Sequence, residues 1–297
     1  RQLRAYYRSI FRQSSEPIAI DSNKGDIITV FSFAPNKEYH MPGFFGQRAE
    51  GINSRRYNDV TKITVCYVTD AKKLAQYIPA PFEVAEIPMV IVEYSCAKQV
   101  DWLAGRGYNM IGVNVSIKFK GKEDQLEGSL ALVMWESLTD PILTGREIKG
   151  VPKIYADIPD HQVIKGEWRA NASHFSNRIV QITASELTAL TPEQIAKGKK
   201  SMAGKNHWMG WKYIPNPDGV GAAISHPTLF PTEFETTQAW NGEGTVEWEH
   251  LTWEQNPTQY HIVNALAELP NLGVVYTAVS KGSIVLEPDG RTVRLLK

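Results

Sequence analysis

The chain has 297 residues, of which 42% are apolar, and its 32 basic residues balance its 32 acidic ones. A chain of this length and composition can bury a large core, which excludes a disordered or fibrous protein. The charge balance gives no reason to expect a nucleic acid or an anionic membrane surface as partner, so a small molecule is the expected ligand. No apolar run approaches the roughly 18 residues of a membrane span, which predicts a soluble, cytoplasmic protein.

The first fifty residues differ from the rest of the chain. Residues 1–13 have apolar side chains at helical spacing with arginines mostly on the other side, which predicts a short docking helix. A membrane-surface anchor is the alternative for such a basic amphipathic segment. The predicted division is an N-terminal extension over residues 1–50 and one domain over residues 51–297.

From Thr61 onward the dominant pattern has a period of two, clearest between Val113 and Lys120. Alternating apolar and polar residues are typical of a half-buried antiparallel strand. Similar runs begin at Thr61, Met89, Leu130, Arg178, Thr245 and Gly273. Segments rich in Pro, Gly and Asp separate these runs and predict turns between the strands.

Two segments have helical signals instead. One covers residues 70–78, after Thr69 as the capping residue, and the other covers residues 191–199, where Thr191 and Gln194 form an N-terminal signature. The predicted fold class is therefore α+β and mostly β, a closed or sandwiched antiparallel β-barrel with a few helices.

Residue spacing argues against several kinds of site, and a metal site that is assembled only in space is the alternative. The seven histidines never fall at the short intervals of a zinc site, and Cys66 and Cys96 lie thirty positions apart in apolar runs. The motifs of dinucleotide, nucleoside triphosphate and α/β-hydrolase sites are missing from the sequence. We expect neither a metal nor a cofactor.

One lysine has unusual surroundings. Residues 144–155 read TGREIKGVPKIY, so Lys153 directly follows Gly150, Val151 and Pro152. A lysine that a rigid backbone holds among apolar groups loses hydration of its ammonium form, which lowers its pKa and frees an amine that attacks carbonyls. An ordinary surface lysine in a turn is the alternative.

Five segments together resemble the acetoacetate decarboxylase family in order along the chain. They are a Gly-Arg-Glu stretch followed by Pro-Lys within 145–153, the strand, helix and Pro-x-Pro turn of 67–81, and the segments 212–219, 239–242 and 269–270. The family is a known example of an activated lysine. The resemblance implies that Lys153 forms a Schiff base with a small oxo acid and that the chain is a carbon–carbon lyase, which releases CO₂ from acetoacetate or a related 3-oxo acid. It also implies a symmetric homo-oligomer.

The resemblance implies further site residues. Glu93 falls on the family's first pocket glutamate and Met134 falls near its pocket methionine, while Val151 is expected to line the substrate site beside the lysine. Burial in an apolar strand would raise the pKa of Glu93 and let it transfer protons, unless it lies on the solvent face. Arg146 and Glu147 match the family as well, and a buried ion pair that shapes the loop explains them as readily as catalysis.

Three positions depart from the family. Ile154 stands where a second lysine is expected, and Tyr108 stands where a second pocket glutamate is expected. Val60 stands where a pocket arginine is expected, and Arg55, Arg56 or Lys62 takes that place only if the register is shifted. These departures leave two alternatives open. One is an aldolase or dehydratase that acts on pyruvate-type oxo acids through the same lysine, with Tyr108 or Tyr155 as acid or base. The other is a non-catalytic barrel that binds a small ligand.

Overall fold

The computed structural model describes residues 31–46, 56–201, 207–288 and 291–297. The chain divides into two compact units, Arg1–Asn53 and Ser54–Lys297. The helix predicted over residues 1–13 lies outside the described residues. The described part of the first unit contains a 3₁₀ turn at Gly43–Phe45 and a group of aromatic rings in edge contact: Phe31, Phe33, Tyr39 and Phe44.

The second unit is built on one large sheet. Its strands in the described residues are β1 (Arg56–Val68), β2 (Phe82–Val84), β3 (Met89–Val100), β4 (Tyr108–Lys120), β5 (Gln125–Glu136), β6 (Lys153–Tyr155), β7 (Gln162–Ile164), β8 (Glu167–His174), β9 (Asn177–Ala189), β10 (His207–Pro215), β11 (Ala222–Leu229), β12 (Thr232–Trp248), β13 (Gly273–Leu286) and β14 (Arg294–Leu295). The helices are α1 (Ala71–Ala75), α2 (Thr139–Thr144), α3 (Pro192–Ser201) and α4 (Tyr260–Ala267), with a 3₁₀ turn at Asp101–Leu103 and a π-helical turn at Gly145–Lys149.

The predicted mostly-β α+β class is confirmed, but two details of the sheet differ. The strand order is β14-β11-β10-β5-β4-β3-β1-β13-β12-β9-β8-β7, with β2 beside β4 and β6 beside β5. This order has two ends in the described part of the chain, so barrel closure is not confirmed. The sheet is also not purely antiparallel, because β6 and β10 both run parallel to β5. Residues 137–152 form the crossover that a parallel β5–β6 pair requires.

Both predicted helices are present, one with a different cap. The side chain of Asp70 accepts a hydrogen bond from Lys73 N at 2.8 Å, so Asp70 caps α1 while Thr69 is buried. Helix α1 ends before residue 78, since the residue before a proline disfavours the helical conformation. At α3, Thr191 and Gln194 exchange side-chain to backbone hydrogen bonds of 2.8 and 3.3 Å, which is a capping box.

The two faces of the β1–β3–β4–β5 region have opposite characters, because successive side chains of a strand point to opposite faces. On one face, a row across the four strands is fully buried in the main core: Ile63, Tyr94, Ile111 and Trp135. The neighbouring row, on the other face, is polar at three of its four positions: Lys62, Ser95, Met110 and Glu136. This second face therefore carries the ionisable side chains of Lys62 and Glu136.

Candidate active site at Lys153

Lys153 begins the short strand β6, beside Met134 of β5. The backbone around it is fixed on both sides. Met134 N donates to Pro152 O at 3.0 Å, Ala156 N donates to Glu136 O at 3.1 Å, and Val151 N donates to Gly145 O at 3.0 Å. These bonds fix the direction in which the lysine side chain leaves the strand.

The lysine side chain is largely buried and reaches a carboxylate. Its ammonium Nζ lies 2.7 Å from Oε1 of Glu136 and donates to the carbonyl of Pro141 in α2 at 3.2 Å. Its stem passes directly over Gly145, where a Cβ would come within 2.6 Å of Lys153 Cε. Glycine is therefore required at the start of the π-helical turn to make room for the lysine.

Glu136 is the most buried acid of this site, with a fully buried side chain. Beyond the ion pair with Lys153, neither of its oxygens accepts a hydrogen bond from another described residue. Burial raises the pKa of Glu136, while the neighbouring Lys153 ammonium opposes that rise. A carboxylate with spare acceptor capacity beside an amine is equipped to take up and return a proton.

Two tyrosines complete the buried polar group. The hydroxyls of Tyr57 and Tyr108 lie 3.0 Å apart, and Trp102 Nε1 donates to the Tyr57 hydroxyl at 3.2 Å. Burial raises the pKa of both phenols, and the nearby charge of Glu136 raises them further. The phenols thus remain protonated and lie within electrostatic reach of the carboxylate.

Glu93 belongs to a different ion pair on the same sheet face. Its carboxylate lies 2.8 Å from Lys62 Nζ and accepts a hydrogen bond from Thr64 Oγ1 at 3.2 Å. By strand register Glu93 is opposite Gly112, which is opposite Met134, so β4 and β5 separate Glu93 from Lys153. The sequence argument assumed a lone carboxylate, whereas the structure supplies a lysine partner.

Three further residues predicted for the site, Met134, Val151 and Tyr155, differ in their burial and in their contacts. The Met134 side chain extends over Gly112, and Val151 is buried in the loop that leads to Lys153. Tyr155 is 41% exposed and donates its hydroxyl to Asp157 at 2.7 Å.

Arg146 and Glu147 do not form the buried ion pair that the sequence suggested. Both side chains are exposed, because they lie on the outer side of the π-helical turn. Arg146 instead donates to the backbone carbonyl of Lys153 at 2.9 Å. Its contribution is therefore to hold the strand that bears the lysine.

Sequence reasoning missed three contributors to this site. Glu136 lies two residues after Met134 on the same strand face, and this spacing is the signal that could have identified it. Tyr57 had no comparable signal. Gln259 accepts from Trp135 Nε1 at 2.8 Å and donates to Tyr155 O at 2.9 Å, so it ties β6 to β5 from the core side.

In the described ranges, no group of three or more His, Cys, Asp or Glu side chains is arranged to hold a metal ion. The helices in those same ranges are all too short or too polar to cross a bilayer.

Comparisons with known proteins agree with the fold and the sequence resemblance. The family model described as acetoacetate decarboxylase (ADC) matches residues 40–285. Acetoacetate decarboxylase of Burkholderia cenocepacia (strain HI2424) is 24% identical over 225 residues, which cover 74% of this chain and 80% of that protein. Acetoacetate decarboxylase of Legionella pneumophila has a structure with a TM-score of 0.66 at 20% identity, over 82% of this chain and 88% of that chain.

A further solved structure is the enduracididine biosynthesis enzyme MppR complexed with pyruvate. It has a TM-score of 0.64 at 14% identity, over 89% of this chain and 99% of that chain. Both structural likenesses concern the fold, while the family match extends over most of the residues that build the sheet and the Lys153 site. The chain therefore belongs to the acetoacetate decarboxylase family.

Proposed function

We propose that this protein is a Schiff-base-forming lyase that releases CO₂ from acetoacetate or a related 3-oxo acid, with Lys153 as the nucleophile. The observation that carries the proposal is the contact of 2.7 Å between the Lys153 amine and the buried Glu136 carboxylate. Family membership supports an enzyme of the lyase class. No cofactor is needed, because the iminium itself withdraws the electrons.

The first stage is formation of the Schiff base. Glu136 accepts a proton from the Lys153 ammonium, and the free amine adds to the ketone carbon of the substrate. Glu136 then returns the proton to the carbinolamine hydroxyl, which leaves as water. The product is an iminium between Lys153 and the ketone carbon.

The second stage is loss of CO₂. The electron pair of the bond to the carboxylate moves into the iminium, CO₂ departs, and an enamine remains. Protonation of the enamine carbon restores the iminium, and water then releases the ketone and the amine. We assign this protonation to Glu136 after it has taken up a proton from water, since its raised pKa favours the acid form.

Met134 and Val151 are proposed to line the substrate site next to Lys153, and Tyr108 to contact the substrate through its hydroxyl. The catalytic role predicted for Glu93 stays a prediction. Its ion pair with Lys62 supports a role in binding more than a role in proton transfer at the amine.

A second candidate is an aldolase or dehydratase that acts on pyruvate-type oxo acids. Glu136 favours it, because removal of a proton next to an iminium needs a base close to Lys153, whereas loss of CO₂ needs none. MppR, which has the same fold, has been solved with pyruvate. In this alternative, the enamine formed at Lys153 attacks an aldehyde, and Glu136 serves as base and then as acid.

Borohydride trapping tests the Schiff base directly. The protein is incubated with acetoacetate or pyruvate, reduced, digested and analysed by peptide mass spectrometry. We expect the reduced adduct on the Lys153 peptide of the wild type and none in Lys153→Ala. Lys149→Met is the matched control, because Lys149 is also a buried lysine with a glutamate partner.

Product analysis separates the candidates. Release of CO₂ from acetoacetate supports the decarboxylase, and a condensation product of pyruvate with an aldehyde supports the aldolase. If neither compound labels the Lys153 peptide, both enzyme proposals fail and the ligand-binding barrel takes their place.

Cytoplasmic location and a symmetric homo-oligomer belong to the same proposal, with a small oxo acid as the partner and neither nucleic acid nor membrane. The oligomer is supported by β7, which lies at one end of the strand order and leaves Val163 and Ile164 each 50% exposed. An apolar edge strand of this kind is a template for pairing with another chain. Sedimentation of the purified protein tests it.

A further inference from the structure

Two lysine–glutamate pairs border one stretch of sheet surface. Directly opposed residues of neighbouring strands point to the same face. One row of the register is Lys62, Ser95, Met110 and Glu136, and the next row is Thr64, Glu93, Gly112, Met134 and Lys153. The Lys62–Glu93 pair and the Lys153–Glu136 pair are therefore on the same face, with β4 between them.

The surface between the two pairs is apolar, and no side chain protrudes from the residue at its centre. At its centre Gly112 has no side chain, and the terminal methyl of Met134 lies 3.3 Å from the position that a Cβ would take. Phe234 flanks this surface, since its ring lies 4.5 Å from Lys62 Nζ and packs against the cluster that contains Tyr57 and Tyr108. This surface separates the two charged ends.

An unused hydroxyl lies at the Lys62 end. Ser95 is opposite Lys62 in the register and is 1% exposed, yet its Oγ has no hydrogen-bond partner among the described residues. Buried polar groups are normally paired, so an unpartnered hydroxyl beside a lysine points to a polar ligand group.

We infer that Lys62 and Ser95 bind a second, distal carboxylate of the substrate whose ketone reacts at Lys153. The inference rests on the proposed function and names its substrate class, a 3-oxo acid that carries another carboxylate at the far end of an apolar chain. The carboxylate that leaves as CO₂ is the one separated from the ketone by a single carbon. Lys62 is thus a specificity-determining residue.

The strand spacing sets the length of that chain. Each lysine–glutamate pair has one member in each row, and the two pairs are separated across the sheet by the two strand spacings from Glu93 on β3 to Glu136 on β5, which is roughly 10 Å. After the reach of the new C–N bond and of one hydrogen bond is subtracted, about 6 Å remains, or about five bonds from the ketone carbon to the distal carboxylate carbon. Acetoacetate, with one methylene between ketone and carboxylate, cannot contact both lysines.

The test uses methyl ketones that resemble the product of such a decarboxylation. Borohydride labelling of Lys153 is titrated with 6-oxoheptanoate, whose carboxylate is about five bonds from its ketone, with the shorter levulinate, and with neutral heptanone. We expect the wild type to reach half-maximal labelling with 6-oxoheptanoate at a concentration about ten-fold or more below that for heptanone. Levulinate should show no such preference over heptanone.

Variants assign the preference to the distal site. Lys62→Met should reduce the preference for 6-oxoheptanoate over heptanone to about one. The double variant Lys62→Met with Glu93→Gln should do the same, and it leaves no unpaired charge because both members of the ion pair are replaced. Lys98→Met is the matched control, because Lys98 forms an ion pair with Asp160 at 2.8 Å on the opposite face of β3 and should leave the preference unchanged. A preference that survives the loss of Lys62 overturns the inference, and so does equal labelling by levulinate.

A binding measurement separates this inference from the proposed function. In Lys153→Met no Schiff base can form, so calorimetry reports only non-covalent binding of 6-oxoheptanoate. We expect the added Lys62→Met substitution to raise that Kd about ten-fold or more. If labelling fails but this Lys62 dependence is present, the Schiff-base proposal is wrong and the distal site stands. If the Kd does not depend on Lys62, the distal site is wrong whatever the labelling shows.

Discussion

The last residue of the π-helical turn, Lys149, and Lys153 four residues later each form a buried pair with a glutamate. Lys149 meets Glu287 at 2.6 Å, with side chains 15% and 2% exposed, and Lys153 meets Glu136 at 2.7 Å, with side chains 12% and 0% exposed. The lengths and burials of the pairs are nearly the same, so these quantities do not distinguish a structural pair from a reactive one.

The difference lies in the second oxygen of each carboxylate. Glu287 Oε2 is taken by Lys149, and its Oε1 accepts from Val293 N at 2.8 Å, so both oxygens are used to hold the C-terminal segment. Glu136 has no hydrogen bond beyond its lysine among the described residues, and the phenols of Tyr57 and Tyr108 are close by. A fully paired buried carboxylate stabilises a fold, whereas one with spare capacity keeps the ability to exchange a proton.

The largest expected effect is a difference between Glu136 and Glu287 in the catalysis of proton exchange. Glu136→Gln keeps the shape of the side chain but removes the proton acceptor, so exchange of the protons next to the ketone in deuterated water should fall by a factor of about 10²–10⁴. Proton magnetic resonance of acetone or pyruvate measures this exchange. Glu287→Gln should leave the exchange rate of the remaining folded protein unchanged. Equal losses in both variants would mean that Glu136 is only structural.

The stability of the lysine variants should show the reverse order. Lys149→Met removes the ammonium that meets the buried Glu287 carboxylate at 2.6 Å, so the free energy of unfolding should fall by about 3–5 kcal/mol. Lys153→Met should lower it less, because the pKa of Glu136 is already raised by burial and the acid can become neutral. Urea unfolding followed by tryptophan fluorescence gives both values, and a greater loss in Lys153→Met contradicts this account.

A smaller effect is expected from Gly145→Ala, which adds a Cβ beside the stem of Lys153. The lysine must move, and a displacement of about 1 Å at a reacting amine lowers reaction rates up to about 100-fold. The measurement is the rate of borohydride labelling at a fixed ketone concentration.

Gly198→Ala is the matched control for that variant. Gly198 lies in helix α3, and a Cβ there has open space. The substitution should leave labelling unchanged and stabilise the helix by about 1 kcal/mol. If Gly145→Ala labels as fast as Gly198→Ala, the close packing of Gly145 does not position the amine.

Much of the sheet could be predicted from the sequence, because a half-buried strand produces a local period of two. The strand predicted from Gly273 to Leu286 has this period and is present. The capping box at Thr191 is another local pattern, and it is present as well. The role of Lys153 stays a prediction, which rests on its rigid, apolar neighbours and on the resemblance of its segment to a family motif.

The partner of Lys153 could not be predicted in the same way. Glu93 and Glu136 are both acids in apolar strands, so the alternation pattern does not indicate which of them is the partner of Lys153. Which one meets the lysine depends on the parallel pairing of β6 with β5, and the crossover that creates this pairing leaves no periodic signal. The position of Tyr57 depends on a register shift of β1 between Tyr57 and Val60, and this shift also leaves no periodic signal in the sequence.

The smallest expected effect is a pH dependence of stability. The folded-state pKa of Glu136 lies above its ordinary value of 4.5, so the folded protein holds this proton more tightly than the unfolded chain does. The resulting stability is fully present below about pH 4.5 and is lost as the pH rises through the folded-state pKa. Glu136→Gln has no such loss. Its free energy of unfolding should therefore rise relative to that of the wild type as the pH rises from acidic to neutral.

Asp124 provides the control of opposite sign. Hydrogen bonds from Arg294 hold its pKa down to about 2, below its ordinary 3.8, so its stabilisation is present above pH 3.8 and is lost as the pH falls through about 2. Asp124→Asn should therefore lose about 1–2 kcal/mol near neutral pH, and less in acid. Urea unfolding at a series of pH values compares both variants with the wild type. If the Glu136→Gln difference follows the same direction as the Asp124→Asn difference, Glu136 is held as a stable anion, and the contrast between the two buried pairs fails.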